Sequence, residues 1–212
     1  MRASGDLLYL GMILPESFYL REDVVRIARE LLGKVLVTHI DGIRTSATIV
    51  ETEAYGGITD KASHAYGGRR TNRTEVMYSR GGVAYVFLCY GIHHLFNVVT
   101  NAADVPHAVL IRAAEPAEGL EAMLQRRGKT TLKPALTAGP GALSAALGIH
   151  TGLTGVGQSG NGLRIEDRGI EINDADIIAA TRVGVAYAGT DALLPYRFYL
   201  KGNKFVSKSK GL

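Results

Sequence analysis

The sequence predicts a single α+β domain. Three observations carry that reading: short apolar strands recur along the 212 residues, helical patterns fall between them, and no regular strand–helix–strand order links the two. The length suits one domain with a sizeable core, and neither an internal repeat nor a dividing linker interrupts it. The domain is accordingly read over residues 1–212, with 1–16 as a lead-in and 202–212 as a basic tail expected to fray.

Each element has a local reason. Apolar residues at positions 24, 27, 28 and 31 give 23–32 the period of an amphipathic helix, and Gly33 stands where a helix C-cap belongs. Residues 34–40 alternate through Val35 and Val37, Asp41-Gly42 is a two-residue hairpin signal, and the returning strand runs over 43–55. Residues 56–80 are polar, glycine-rich and basic, and a loop this long in a compact domain points to function. An aromatic strand follows at 83–90, another at 93–100 and a short one at 109–113. Glu115-Pro116 is expected to start a helix over 117–127, and Gly139-Pro140-Gly141 opens a second that ends at Gly148. The start of that second helix offers free backbone N–H groups suited to a phosphate. Residues 151–162 read as a loop, and short strands are expected at 163–166, 170–172, 178–185 and 197–200.

A net charge of +4 is a mild basic excess, which fits a polyanionic partner without requiring one. The single Cys89 excludes an internal disulfide, and its apolar surroundings suggest a small buried hydrophobe rather than a nucleophile. The apolar run at 7–14 is too short for a membrane span and carries no secretory cleavage pattern, so a cytoplasmic protein with no membrane partner is expected.

The chemistry concentrates at Ile49-Val50-Glu51-Thr52-Glu53-Ala54-Tyr55. Alternation on a strand puts Glu51, Glu53 and Tyr55 on one face, and buried carboxylates need partners, so that face is read as lining a polar pocket. The two carboxylates, with Cα atoms roughly 6.6 Å apart, first suggest glycoside hydrolysis, yet the basic loop and aromatic strand that follow are not the pattern of a sugar cleft. No metal site is expected: His93 and His94 are adjacent and point apart, and neither H-x-x-x-H nor C-x-x-C occurs. Phosphate-loop and dinucleotide fingerprints are also missing, and no cofactor is expected. What remains is a carboxylate together with the flat surfaces of Tyr55, Phe87 and Tyr90 and the cations Arg69, Arg70 and Arg73, a set suited to base stacking and phosphate contact.

These residues carry a resemblance. The run 50–55, His64, Tyr85-Val86-Phe87-Leu88-Cys89-Tyr90-Gly91 leading to Asn97, the run 109–116, Gly139-Pro140, 182–189 and 195–202 together resemble the alkyladenine (3-methyladenine) DNA glycosylases over about residues 17–207. The resemblance implies a curved antiparallel sheet surrounded by helices, with a protruding β-hairpin. It implies a monofunctional repair enzyme that acts as a monomer on double-stranded DNA and hydrolyses the N-glycosidic bond of a flipped, damaged purine. By motif position, Glu53 resembles the base that activates water, Arg112 its partner, and a backbone carbonyl near Val183 a third contact. Tyr55, His64 and Phe87 resemble the walls around the base, Asn97 the residue that obstructs the 2-amino group of guanine, and Tyr90 the wedge that fills the vacated stack. Glu51 is read as a supporting residue. Phe87 departs from the tyrosine of well-studied members: stacking is kept and a hydroxyl is lost. No lysine falls on a catalytic motif position, so no Schiff-base step is expected. The alternative left open is a non-catalytic nucleic-acid-binding module using the same loop and wedge.

Overall fold

A computed structural model describes residues 11–160, 162–208 and 211. The chain begins with β1 (Met12–Ile13), the single turn α1 (Glu16–Tyr19) and helix α2 (Val24–Glu30). Helix α2 is capped by Asp23, whose carboxylate accepts from the Arg26 N–H at 2.9 Å. Gly33 follows at φ +80°, packed so closely on Ile172 that a Cβ there would lie 2.8 Å from it.

The hairpin β2 (Val35–Ile40) and β3 (Ile43–Tyr55) turns at Asp41-Gly42, both with positive φ, as a two-residue connection requires. The basic loop holds three single turns of 3₁₀ helix before the second hairpin, β4 (Ala84–Cys89) and β5 (His93–Thr100). The chain continues through β6 (His107–Glu118), α3 (Leu120–Arg126), α4 (Pro140–Leu147), β7 (Leu163–Asp167), β8 (Ile177–Ala180) and β9 (Arg197–Leu200). All nine strands join one antiparallel sheet in the order β1-β7-β2-β3-β6-β5-β4, with β9 joining β3 to β8. The fold class is α+β, as the sequence predicts.

β3 is the spine. One edge pairs first with β2 and then, from Glu51 to Glu53, with β9, while β6 runs along the other. Register shifts around Glu51 change which face its residues occupy. Before them Ala47 and Ile49 lie in the main core; after them Ala54 does, and Thr52 bonds the carbonyl of Ala28 on α2 at 2.7 Å. β6 switches at the same level, since Val109 and Ile111 share that core but Ala114 continues it. An unbroken alternation would have sent either the apolar residues or the carboxylates to the wrong side. The bulge decides which face Glu51 and Glu53 occupy.

Several expectations are corrected. Residues 115–118 extend β6, and helix α3 begins only at Leu120. Pro116 is tolerated in the strand because it sits opposite Ala47, beside a register shift, and such irregularities are where a strand accepts proline. Residues 170–172 form no strand, and Ile172 is spent on covering Gly33. The strand expected at 178–185 stops at Ala180, because the side chain of Arg182 and the N–H of Val183 turn inward to the partners described below. The tail is not frayed over its described part: Phe205 packs with Val50 and Ala113, and Ser207 is buried. Cys89 is half-buried and lines the cavity below, rather than lying in the core. Of the apolar run at 7–14, residues 7–10 lie outside the described residues. Among the described residues no helix is long and apolar enough to cross a membrane.

Candidate active site

One face of β3, β6, β5 and β4 is the floor of a cavity of about 740 Å³. Sheet register builds that floor from alternate residues, and one row of neighbours crosses it: Glu53 opposite Leu110, Leu110 opposite Asn97, Asn97 opposite Tyr85. The opposite face of the same strands carries Val86, Phe96, Val98, Val109 and Ile111 into the core. The alternation legible in the sequence is thus the division between pocket and core.

At the head of the cavity Glu53 has no solvent exposure and three partners. Its Oε2 accepts from the Tyr55 hydroxyl at 2.8 Å, its Oε1 accepts from the Val183 N–H at 2.8 Å, and the Arg112 Nη1 lies 3.3 Å from Oε1. Arg112 Nε also donates to Glu51 at 2.9 Å, so one buried guanidinium bridges the two carboxylates. Burial alone would lower the pKa of Arg112, but the charges of Glu53 and Glu51 hold it above its ordinary value. Burial, reinforced by Glu53, holds the Tyr55 hydroxyl well above the usual phenol range, so it remains a donor. The backbone of the Val183 segment also reaches Glu53 itself, through the Val183 N–H.

The walls are aromatic. His64 meets Phe87 edge-to-face with ring centroids 4.7 Å apart, and its Nδ1 lies 2.8 Å from the Tyr85 hydroxyl. Arg73 donates to His64 Nε2 at 3.2 Å, and a guanidinium cannot accept, so the proton of the neutral ring sits on Nδ1. Burial first, then the nearby charges of Arg73 and Arg69, pushes the His64 pKa down to about 4. The folded protein therefore stays unprotonated here between pH 6.5 and 4, whereas the unfolded chain takes up the proton. Stability contributed by this neutral ring is full above pH 6.5 and is lost as pH falls towards 4. In urea titrations the wild type is expected to lose more stability between pH 7 and pH 5 than His64→Phe does.

Asn97 is buried and donates to the Tyr85 carbonyl at 3.1 Å. The β4–β5 hairpin projects at the mouth of the cavity. Its turn holds Tyr90 at φ +51°, 91% exposed, between the exposed Leu88 and Ile92. A bulky residue in left-handed backbone with its ring in water is costly on both counts, which marks a functional constraint.

The structure thus brings Glu53, Tyr55, His64, Phe87, Tyr90, Asn97, Arg112 and Arg73 around one cavity. The three arginines of the loop part company. Arg73 leans inward, its guanidinium 5.1 Å from the Phe87 ring centre. Arg70 is taken up by Glu75 and Asp104, each at 2.8 Å. Arg69 is exposed at a neighbouring depression with Lys61 and Tyr187. Among the described residues no group of three or more His, Cys, Asp or Glu side chains is placed to hold a metal ion.

Residues that sequence reasoning missed complete the frame. Arg182, fully buried, donates to both oxygens of Asp60, to the carbonyl of Ala54 at 2.9 Å and to that of Asp191 at 3.1 Å. Its guanidinium lies 4.9 Å from the Tyr55 ring centre and precedes the Val183 N–H that holds Glu53. The one signal for it was Asp60, one of only two acids, with Glu75, inside a basic loop.

A family profile described as Methylpurine-DNA glycosylase (MPG) matches residues 17–204. The chain belongs to this family. Relatives provisionally named 3-methyladenine DNA glycosylase include one from Desulfitobacterium hafniense, 49% identical over 201 residues that span 92% of this chain and 98% of the relative. One from Chlamydia abortus is 48% identical over 89% of this chain and 98% of its own length, and one from Bacillus cereus is 47% identical over 93% and 100%. The family match begins at the single turn α1 and ends at Lys204 in the tail, so it takes in every residue that lines the cavity.

Proposed function

We propose that this protein is a monofunctional DNA glycosylase of base excision repair, acting as a monomer in the cytoplasm on duplex DNA that contains alkylated or deaminated purines. The candidate substrates are 3-methyladenine, 7-methylguanine and hypoxanthine. The observation that carries the reading is the buried Glu53–Arg112 pair at the head of an aromatic-walled cavity whose mouth bears an exposed tyrosine. A sugar cleft has no use for such a wedge, and a pure DNA binder has no use for a carboxylate facing a polyanion.

Extrusion of the base costs a few kcal/mol of stacking and pairing, which insertion of the Tyr90 ring offsets in part. Tyr55, His64 and Phe87 then enclose the base, and electron-rich ring faces favour the cationic N3- and N7-alkylated purines. A water held by Glu53 and Arg112 adds to the anomeric carbon as the N-glycosidic bond breaks. The base leaves with the bonding electrons, and the water proton passes to Glu53. The charge of Glu53 also stabilises the positive charge that develops on the sugar. Asn97 on the floor stands against the 2-amino group of guanine, and Arg69 and Arg73 answer the phosphates.

The test is release of free base from duplexes carrying each lesion, by wild type and by Tyr90→Ala. Wild type is expected to excise at least one of the three. Tyr90→Ala is expected to be roughly tenfold slower, with a smaller fluorescence change from a base analogue placed beside the lesion, since about 1–3 kcal/mol of stacking is lost. No excision of any lesion by wild type would refute the reading, and an unaltered fluorescence response would remove Tyr90 from it.

A further inference from the structure

The tail that ends the family match and continues past it closes onto the reaction centre. Asn203 anchors it, donating to Glu115 on β6 at 2.8 Å and accepting from the Phe205 N–H at 2.8 Å. The Phe205 ring then packs on Val50 and Ala113, where β3 and β6 change register. This delivers Ser207 to Glu51. Its N–H donates to Glu51 Oε2 at 2.8 Å and its hydroxyl donates to Glu51 Oε1 at 2.9 Å, while the same hydroxyl accepts from Arg112 Nη2 at 3.4 Å. Ser207 is 8% exposed, and Glu51 and Arg112 beneath it are buried.

We propose that Ser207 is a positioning residue of the reaction, acting on Glu53 through Arg112. The proposal rests on the roles assigned above to those two residues. A guanidinium is a rigid plane, so contacts at two of its nitrogens fix the direction of the third. Glu51 holds Nε and Ser207 holds Nη2, which leaves Nη1 directed at Glu53 Oε1, 3.3 Å away. Glu51 can serve as an anchor because it is itself fixed by Ser207 and by Arg197 Nη1 at 3.4 Å. Without the serine hydroxyl the plane of Arg112 is free to tilt about its Nε contact. The Nη1 group then leaves the position that it shares with Glu53 and the attacking water. The second carboxylate of the strand and the tail thus form one device, which sets the geometry of the first carboxylate.

The test compares Ser207→Ala, Ser207→Thr and Glu53→Gln in the full chain, on duplex DNA methylated with dimethyl sulfate. Ser207→Ala is expected to lower the single-turnover rate of base release about tenfold, because small misplacements at a reacting centre are expensive. Its affinity for a duplex carrying a tetrahydrofuran abasic analogue is expected to stay within about twofold of wild type, since the DNA-facing surface is untouched. Ser207→Thr restores the hydroxyl and is expected to recover most of the rate. Rates are taken per folded molecule, with the folded fraction measured by circular dichroism. A wild-type rate for Ser207→Ala, or a loss that disappears on that normalisation, overturns the proposal. So does a Ser207→Thr variant as slow as Ser207→Ala. If Glu53→Gln retains excision, the reading of Glu53 falls and the proposal with it. If Glu53→Gln is inactive and Ser207→Ala is not, the proposal alone falls.

Discussion

Asp60→Ala is expected to destabilise the protein by about 3–5 kcal/mol, because it strands the Arg182 guanidinium as a buried, uncompensated charge. Both oxygens of Asp60 bond Arg182, which has no solvent exposure. The same carboxylate accepts from the Gly56 N–H at 2.9 Å and the Ala62 N–H at 3.0 Å, so its loss also leaves two loop donors unmatched. Burial alone would raise the pKa of Asp60; the Arg182 bond and those two N–H groups outweigh it and hold the carboxyl below its ordinary value. The contribution is therefore present above the unfolded pKa near 3.8 and is lost as pH falls through the lower folded value. Urea unfolding at pH 7 measures the deficit. Asp60→Asn keeps the shape and one acceptor, and is expected to lose less. A loss below about 1 kcal/mol for Asp60→Ala would mean that water reaches Arg182 and relieves it. Excision should fall as well, because Arg182 supports both the Tyr55 ring and the segment whose Val183 N–H holds Glu53.

How much of this was legible depends on where each signal lies along the chain. The helical period that gives α2 and the turn at Asp41-Gly42 are written in neighbouring residues, and both appear where they were read. The shared face of Glu51 and Glu53 follows from alternation, but it survives only through a register shift that no local pattern announces. Pro116 misled for a related reason: a proline after an acid resembles a helix start, and only its partner strand shows the register shift beside it. Cys89 looked apolar in its run, but it ends β4, where the strand leaves the core for the cavity mouth. The pairs that frame the site are the least legible. Asp60 and Arg182 are 122 residues apart, and Glu51 and Ser207 are 156 apart. Nothing in either sequence neighbourhood names the partner, and a basic tail with small polar residues reads as solvent-exposed until Phe205 is seen to anchor it.

Glu53→Gln is the substitution that bears on the central claim, that this carboxylate activates water at a flipped base. Glutamine preserves the volume, and its two polar atoms find partners in place. Its amide oxygen can accept from the Val183 N–H, and the Tyr55 hydroxyl can turn from donor to acceptor for its NH₂. The fold and the aromatic walls are therefore expected to persist, while the ability to take a proton from water is lost. The decisive measurement is single-turnover release of the damaged base from duplex DNA by wild type and Glu53→Gln, with binding to an abasic-analogue duplex followed in parallel. The expected result is a fall of about 10²–10⁴-fold in rate with little change in binding. Excision by Glu53→Gln within a few fold of wild type would contradict it.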